Sequence, residues 1–128
     1  MTLLEVLIAM VILSITAAGL VLATLDCMAV IRVARQREVA RALMYRIDLE
    51  NPIETVDMNE QYDSGTFDEE GDFSYRWTRD ITMVDQEERP GLFLVHKRVQ
   101  WSDRGKESFV EVQEYVYAPD AKVVTSEI

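Results

Sequence analysis

From Val6 to Leu25 no position carries a charge, and the run VLIAMVILSITAAGLVLATL is apolar around the whole circumference of a helix. At 1.5 Å per residue it spans about 30 Å, enough to cross a hydrocarbon core. Ser14, Thr16 and Thr24 interrupt the run. Each can return its hydroxyl to a carbonyl of the preceding turn. The run is long for the apolar core of a signal peptide, and no basic residue precedes it, so a membrane anchor is the better fit.

Beyond the run the pattern turns amphipathic. Met28, Ile31, Ala34 or Arg35, Glu38 or Val39, Ala42, Leu43, Met44 and Ile47 recur at spacings of three and four, with arginines on the other face. Asn51-Pro52 stops the helix, because a residue before proline disfavours the helical region. One helix is therefore predicted from about residue 2 to about residue 50, roughly 70–75 Å long.

Residues 51–72 are rich in Asp, Glu, Asn and Gly and show no period, which predicts a linking loop. Strand patterns follow. Phe73, Tyr75 and Trp77 alternate with polar residues. In Gly91 to Trp101, Phe93, Val95, Val99 and Trp101 share one face, and His96, Arg98 and Gln100 the other. In Phe109 to Tyr117, Val110, Val112 and Val116 share a face. The fold predicted is α+β: a long N-terminal helix, half membrane-spanning and half amphipathic, packed on a small antiparallel sheet of about three strands. A sheet that small needs a cover, and the second half of the helix supplies it, with Leu43 and Ile47 as contacts. Residues 1–27 are thus a transmembrane or filament-core helix and 28–128 a head. Within the head, 28–50 is helix, 51–72 loop, 73–118 sheet and 119–128 a frayed tail.

Charge divides the chain in the same place. The net charge is −10 over 128 residues. Residues 1–50 hold five basic and five acidic side chains, so the whole excess lies after residue 50. Such a head repels nucleic acid and anionic headgroups, and acidity keeps an exposed domain soluble. The single cysteine, Cys27, allows no internal disulfide, and with the single histidine, His96, it cannot complete a zinc set. Asp68-Glu69-Glu70-Gly71-Asp72 offers hard oxygen ligands for calcium but lacks the alternating spacing of a calcium loop, so a solvated loop is favoured. Glu69-Glu70 and Glu87-Glu88 are adjacent carboxylates that point apart on loop or strand, and Trp77 and Trp101 are core candidates. No phosphate loop, catalytic triad or metal motif is present, which predicts no enzymatic chemistry and no cofactor.

Glu5 is the informative residue. It lies beside the apolar run, with no Lys, Arg or His within 25 residues. A carboxylate held in the membrane costs about 2.5–3.5 kcal/mol and calls for a partner. The nearest positive group in sequence is the α-amine of residue 1. Supplied by a neighbouring chain, it would fix the axial register of one helix against the next. The competing reading is a solvated charge at a helix N-terminus, favoured by the helix dipole.

Met1-Thr2-Leu3-Leu4-Glu5-Val6-Leu7-Ile8-Ala9-Met10 resembles the mature N-terminus of type IV pilins and type II secretion pseudopilins. The resemblance covers about the first 25–30 residues, with Thr2, Leu3, Leu4 and Glu5 all in the family's places. It implies a processing motif at Met1, Thr2, Leu3, Leu4 and Glu5, cleavage by a prepilin peptidase, N-methylation of Met1, and a role for Glu5 in methylation and assembly. It also implies a single-pass protein of a bacterial inner membrane with a periplasmic head, whose partners are other pilins or pseudopilins, the inner-membrane assembly platform and, before assembly, the bilayer. Residue 1 is Met where the family usually has Phe, and no proline stands near position 22. Both departures lean towards the I-type minor pseudopilin of a secretion system. A minor or major subunit of a type IV pilus, and a plain anchored binding protein, stand as the alternatives.

Overall fold

A threonine followed three residues later by glutamate, directly before an apolar run, is a helix-start signal, and the computed structural model begins its helix there. The structure describes residues 2–56, 58–68 and 74–121. Helix α1 runs from Leu3 to Glu50. The Glu5 N–H donates to the carbonyl of Thr2 at 3.1 Å, and the Asn51 N–H closes the last turn on the Ile47 carbonyl at 2.8 Å. Pro52 then forbids another turn, as the sequence predicts.

The chain divides into two compact units, one ending at Gln36 and one starting at Arg37. In the first, α1 is bare as far as Arg35. Leu3, Leu7, Ile12, Leu20, Leu25 and Ile31 are all exposed. Ser14 donates to the Met10 carbonyl at 2.8 Å, Thr16 to Leu13 at 2.9 Å and Thr24 to Leu20 at 2.8 Å, so the hydroxyls return to the helix. This stretch is long and apolar enough to cross a membrane.

In the second unit α1 packs on one antiparallel sheet of four strands in the order β1-β2-β3-β4: Gln61–Phe67, Tyr75–Met83, Leu92–Asp103 and Lys106–Tyr117. The α+β class and the helix-on-sheet packing are as expected, with two corrections. A fourth strand, β1, lies inside the predicted 51–72 loop. The compact head begins at Arg37 and not at residue 28, because Met28 and Ile31 remain 62% and 59% exposed. The buried stripe consists of Ala40, Leu43, Met44 and Ile47, flanked by Val39, and Ala42 faces out. The predicted tail falls mostly outside the described residues, as does Phe73.

The β3–β4 connection is a two-residue turn. Arg104 and Gly105 both have positive φ, 51° and 79°, and Asp103 pairs with Lys106. This geometry matches the natural twist of a hairpin.

The buried face of the sheet carries two apolar clusters. Towards one end, Phe67, Tyr75, Trp77, Val99 and Trp101 meet Ala40, Leu43, Met44 and Ile47 of α1. Tyr75 and Trp101 pair across β2 and β3 with ring centroids 5.7 Å apart. Towards the other end, Met58, Ile81, Phe93, Val95 and Ala118 form the second cluster. Both tryptophans are core residues, as expected.

Candidate functional site

The residues singled out by the sequence fall in the first unit. Thr2 caps α1: its Oγ1 accepts the Glu5 N–H at 3.4 Å. Thr2 thus stands as the N-cap, three residues before Glu5 in the spacing of a capping box, and its hydroxyl adds to the bond that the Glu5 N–H makes with the Thr2 carbonyl. Glu5 lies in the first turn, where the helix dipole favours its charge. Leu3 and Leu4 are 80% and 67% exposed and make no core. Met1 lies outside the described residues. An apolar surface of this extent is not left in water; lipid or other protein segments must cover it.

The calcium candidate falls almost wholly outside the described residues, since 69–72 are among those not described. Among the described residues no group of three or more His, Cys, Asp or Glu is placed to hold a metal ion. Cys27 is an exposed residue of the bare helix. His96, on the outer face of the sheet, has Nε2 3.2 Å from Glu111 Oε2.

The polar centre of the head was not singled out from the sequence. Between the two apolar clusters a row of charged side chains crosses the buried face of the sheet. Asp63 pairs with Arg79 across β1 and β2, and Arg79 with Lys97 across β2 and β3. Two cations directly opposite each other repel. Each has acceptors of its own, although the buried Arg79 Nε has no partner among the described residues. Arg79 Nη1 donates to the Asn51 carbonyl at 2.6 Å and Nη2 to Asp63 Oδ2 at 2.7 Å. Lys97 Nζ donates to Asp48 Oδ2 at 2.8 Å and lies 2.9 Å from Glu114 Oε1.

This row serves the end of α1. The last turn of the helix has no basic residue of its own but does hold Asp48 and Glu50, the wrong sign for a helix C-terminus. Arg79 and Lys97 supply the missing cations from the sheet. The Arg79 hydrogen bond, opposed by partial burial, holds the Asp63 carboxyl below its usual range. Burial works against the Lys97 charge, but the carboxylates of Asp48 and Glu114 outweigh it and hold its pKa above the ordinary lysine value.

Strand parity was the signal that could have found them. Arg79 shares a strand face with Trp77 and Ile81, and Lys97 with Val95 and Val99. Lys97 is accordingly only 3% exposed. Comparison with family models, curated proteins and solved structures gives no match.

Proposed function

We propose that the chain is a pilin-like structural subunit that polymerises through the bare part of α1, closest in kind to the I-type minor pseudopilin of a type II secretion system. One observation carries the reading. The Thr2-Leu3-Leu4-Glu5 start caps a helix whose apolar residues stay exposed on every side until the head begins. The subunit sits in the inner membrane with its head in the periplasm and is then lifted into a bundle of similar helices. Lipid and bundle are equally apolar, so the transfer is nearly neutral in hydrophobic energy. Packing at Ala9, Ala17, Ala18 and Gly19, together with a partner for Glu5, then decides order. Work for the lift comes from an assembly motor outside this chain.

Mass spectrometry of the N-terminus tests the class: a methylated Met1 is expected, and an unprocessed or formylated start would remove it. Glu5→Ala should leave insertion and head folding intact while impairing co-assembly in competition with the native chain. Normal incorporation would refute the pairing role of Glu5.

A second reading rests on Arg32, Arg35, Arg37 and Arg41, which follow the apolar run closely. Arginines beside a span favour the cytoplasmic side. On that reading the protein is a plain single-pass anchor with a cytoplasmic head. External protease on spheroplasts separates the two, since only a periplasmic head is cut.

A further inference from the structure

The two edges of the sheet are unlike. β1 is seven residues long, carries Gly65 and turns Asp63 inward. Short length, glycine and an inward charge all discourage another strand from adding to an edge. β4 has twelve residues, pairs one to one with β3 over its whole length without a bulge, and contains neither Gly nor Pro. The Ala118 N–H donates to the Gly91 carbonyl at 2.8 Å, which sets the phase of the ladder. Even-numbered residues of β4 therefore bond to β3. Glu107, Phe109, Glu111, Gln113, Tyr115 and Tyr117 aim their N–H and C=O groups at the free edge. None of these groups has a protein partner among the described residues.

The edge opens on a groove. Of β4 only Val110 and Val116 join the apolar clusters of the buried face. Val112, between them on the same face, is 40% exposed. Arg41, Tyr45 and Asp48 of α1 and Val110, Val112 and Glu114 of β4 line a groove of about 380 Å³ between helix and strand. A fifth strand beside β4 would lay its inward side chains in that groove. Its outward side chains would lie against Phe109 and Tyr115, both exposed on the outer face.

Charge decides what kind of strand fits. β4 carries Glu107, Glu111 and Glu114 against Lys106 alone, and the whole negative surplus of the chain lies after residue 50. Glu114 is held by Lys97, whereas Glu111, which His96 and Arg98 approach, keeps 45% of its side chain exposed. A second copy would bring the same charge to the same edge, which repels. We propose that the free edge of β4 takes up, as a fifth strand, an extended segment of a different protein, with apolar residues on one face and basic residues on the other. The apolar side chains enter the groove beside Val112, and the basic ones meet Glu107 and Glu111. Backbone hydrogen bonds supply affinity, and the groove and the carboxylates select the sequence. The inference does not rest on the reading of α1 as an assembling helix, and it holds for a periplasmic or a cytoplasmic head.

The test uses the full-length chain in non-ionic detergent micelles. The probes are dye-labelled synthetic peptides, about eleven residues long to match β4, in which valine alternates with lysine and threonine. Binding is read by fluorescence anisotropy. At least one peptide should bind with a Kd below about 100 μM, and its counterpart with glutamate for lysine about tenfold or more weakly at low salt. Absence of binding by every lysine peptide, or equal binding of the glutamate peptides, overturns the proposal. Gln113→Pro removes an N–H that points to the free edge and none that bonds to β3, so the ladder survives while an added strand is blocked. It should weaken binding about 10-fold or more with the melting temperature unchanged, whereas Gln113→Ala, which keeps the N–H, should bind as the native chain does. Undiminished binding by a folded Gln113→Pro chain overturns the edge as the site. If Gln113→Pro does not fold, N-methylation of the peptide reads the same contact. Methyl groups on one alternate set of its residues should abolish binding and on the other set spare it; loss with both sets, or with neither, overturns strand pairing. Dimers of the native chain that Gln113→Pro dissociates would give the edge to a second copy and overturn the different protein as partner.

Discussion

The two halves of α1 have the same secondary structure and opposite relations to their surroundings. Up to Arg35 the helix is richer in apolar residues than anything after it, and its large side chains are exposed. From Arg37 on it is rich in charge, and Ala40 and Ile47 are wholly buried. Hydrophobicity alone therefore does not say where the core is. A core needs an apolar stripe on one face and a second surface to receive it. The first half has apolar residues all round and no sheet to meet them; the second has a stripe and a sheet.

The largest effect should come from removing that stripe. Leu43→Ala is expected to cost about 2–5 kcal/mol, as truncations of buried leucines do. The measurement is urea unfolding of a head comprising residues 28–128, which is expected to fold as a soluble domain. An unchanged midpoint would mean that Leu43 does not serve the core. The same head, with its surplus of acid, should stay monomeric alone and associate with the heads of other minor subunits in light scattering. Polymerisation of the isolated head at low salt would reverse the contrast and make the subunit a major one.

Next comes the charged row. Removing both acceptors of Lys97, with Asp48→Asn and Glu114→Gln, leaves a buried ammonium without a counter-charge. Loss of a partner in a fully buried pair costs about 3–5 kcal/mol. Asp48 and Glu114 are themselves 42% and 44% exposed, so solvent screens part of the effect. About 1–3 kcal/mol is expected here. Replacing all three members with apolar residues should recover much of the loss.

What was legible in the sequence follows from which residues carry the pattern. α1, β2 and β3 announce themselves by strong periodicity, and Leu43 and Ile47 were found because the helical stripe is regular. β1 is silent because Phe67 is the one apolar residue on its inward face, where Gln61, Asp63 and Gly65 fill the other positions. The space that apolar side chains would fill there belongs to β2: Arg79 reaches to Asp63, and the indole of Trp77 lies over Gly65. The charged row was hidden for a related reason. Lysine and arginine read as surface residues until the end of a helix is known to lie over them. Glu5 and its apolar run were plain, whereas the capping role of Thr2 needed the geometry.

Gly65 gives a sharper test of that account of β1. A Cβ at this position would lie 2.6 Å from Trp77 Nε1 and 2.8 Å from Cε2. Gly65→Ala must displace a buried ring, at a cost of about 1–3 kcal/mol. Near-UV circular dichroism of Trp77 should change with it. A variant as stable as the native head would show that the indole is free to move.

A smaller, pH-dependent effect separates the two ions of the row. The Asp63 carboxyl is held below its usual value of 3.8, so its contribution is present above that pH and fades as pH falls through the folded value. The Lys97 ammonium is held above 10.5, so its contribution is full below that pH and is lost as pH rises through the folded value. Asp63→Asn should flatten the acid limb of head stability and leave the alkaline limb alone. An unchanged acid limb would remove the Arg79 pair as its cause.

The smallest expected effect is the one that most directly defines the contrast. Val30 is as apolar as Ile47 is, and on the same helix, yet it is 68% exposed. Val30→Ala removes two methyl groups that touch no core, so head stability should change by no more than about 0.5 kcal/mol. The same substitution takes apolar surface from the segment proposed to meet a neighbouring helix. Association of the full-length chain in vesicles should therefore weaken while the head melts as before. If Val30→Ala instead lowers the melting temperature of the head as Leu43→Ala does, the division of α1 at Gln36 is wrong and the head begins earlier. If neither stability nor association responds, Val30 faces lipid and lies outside the assembling surface of α1.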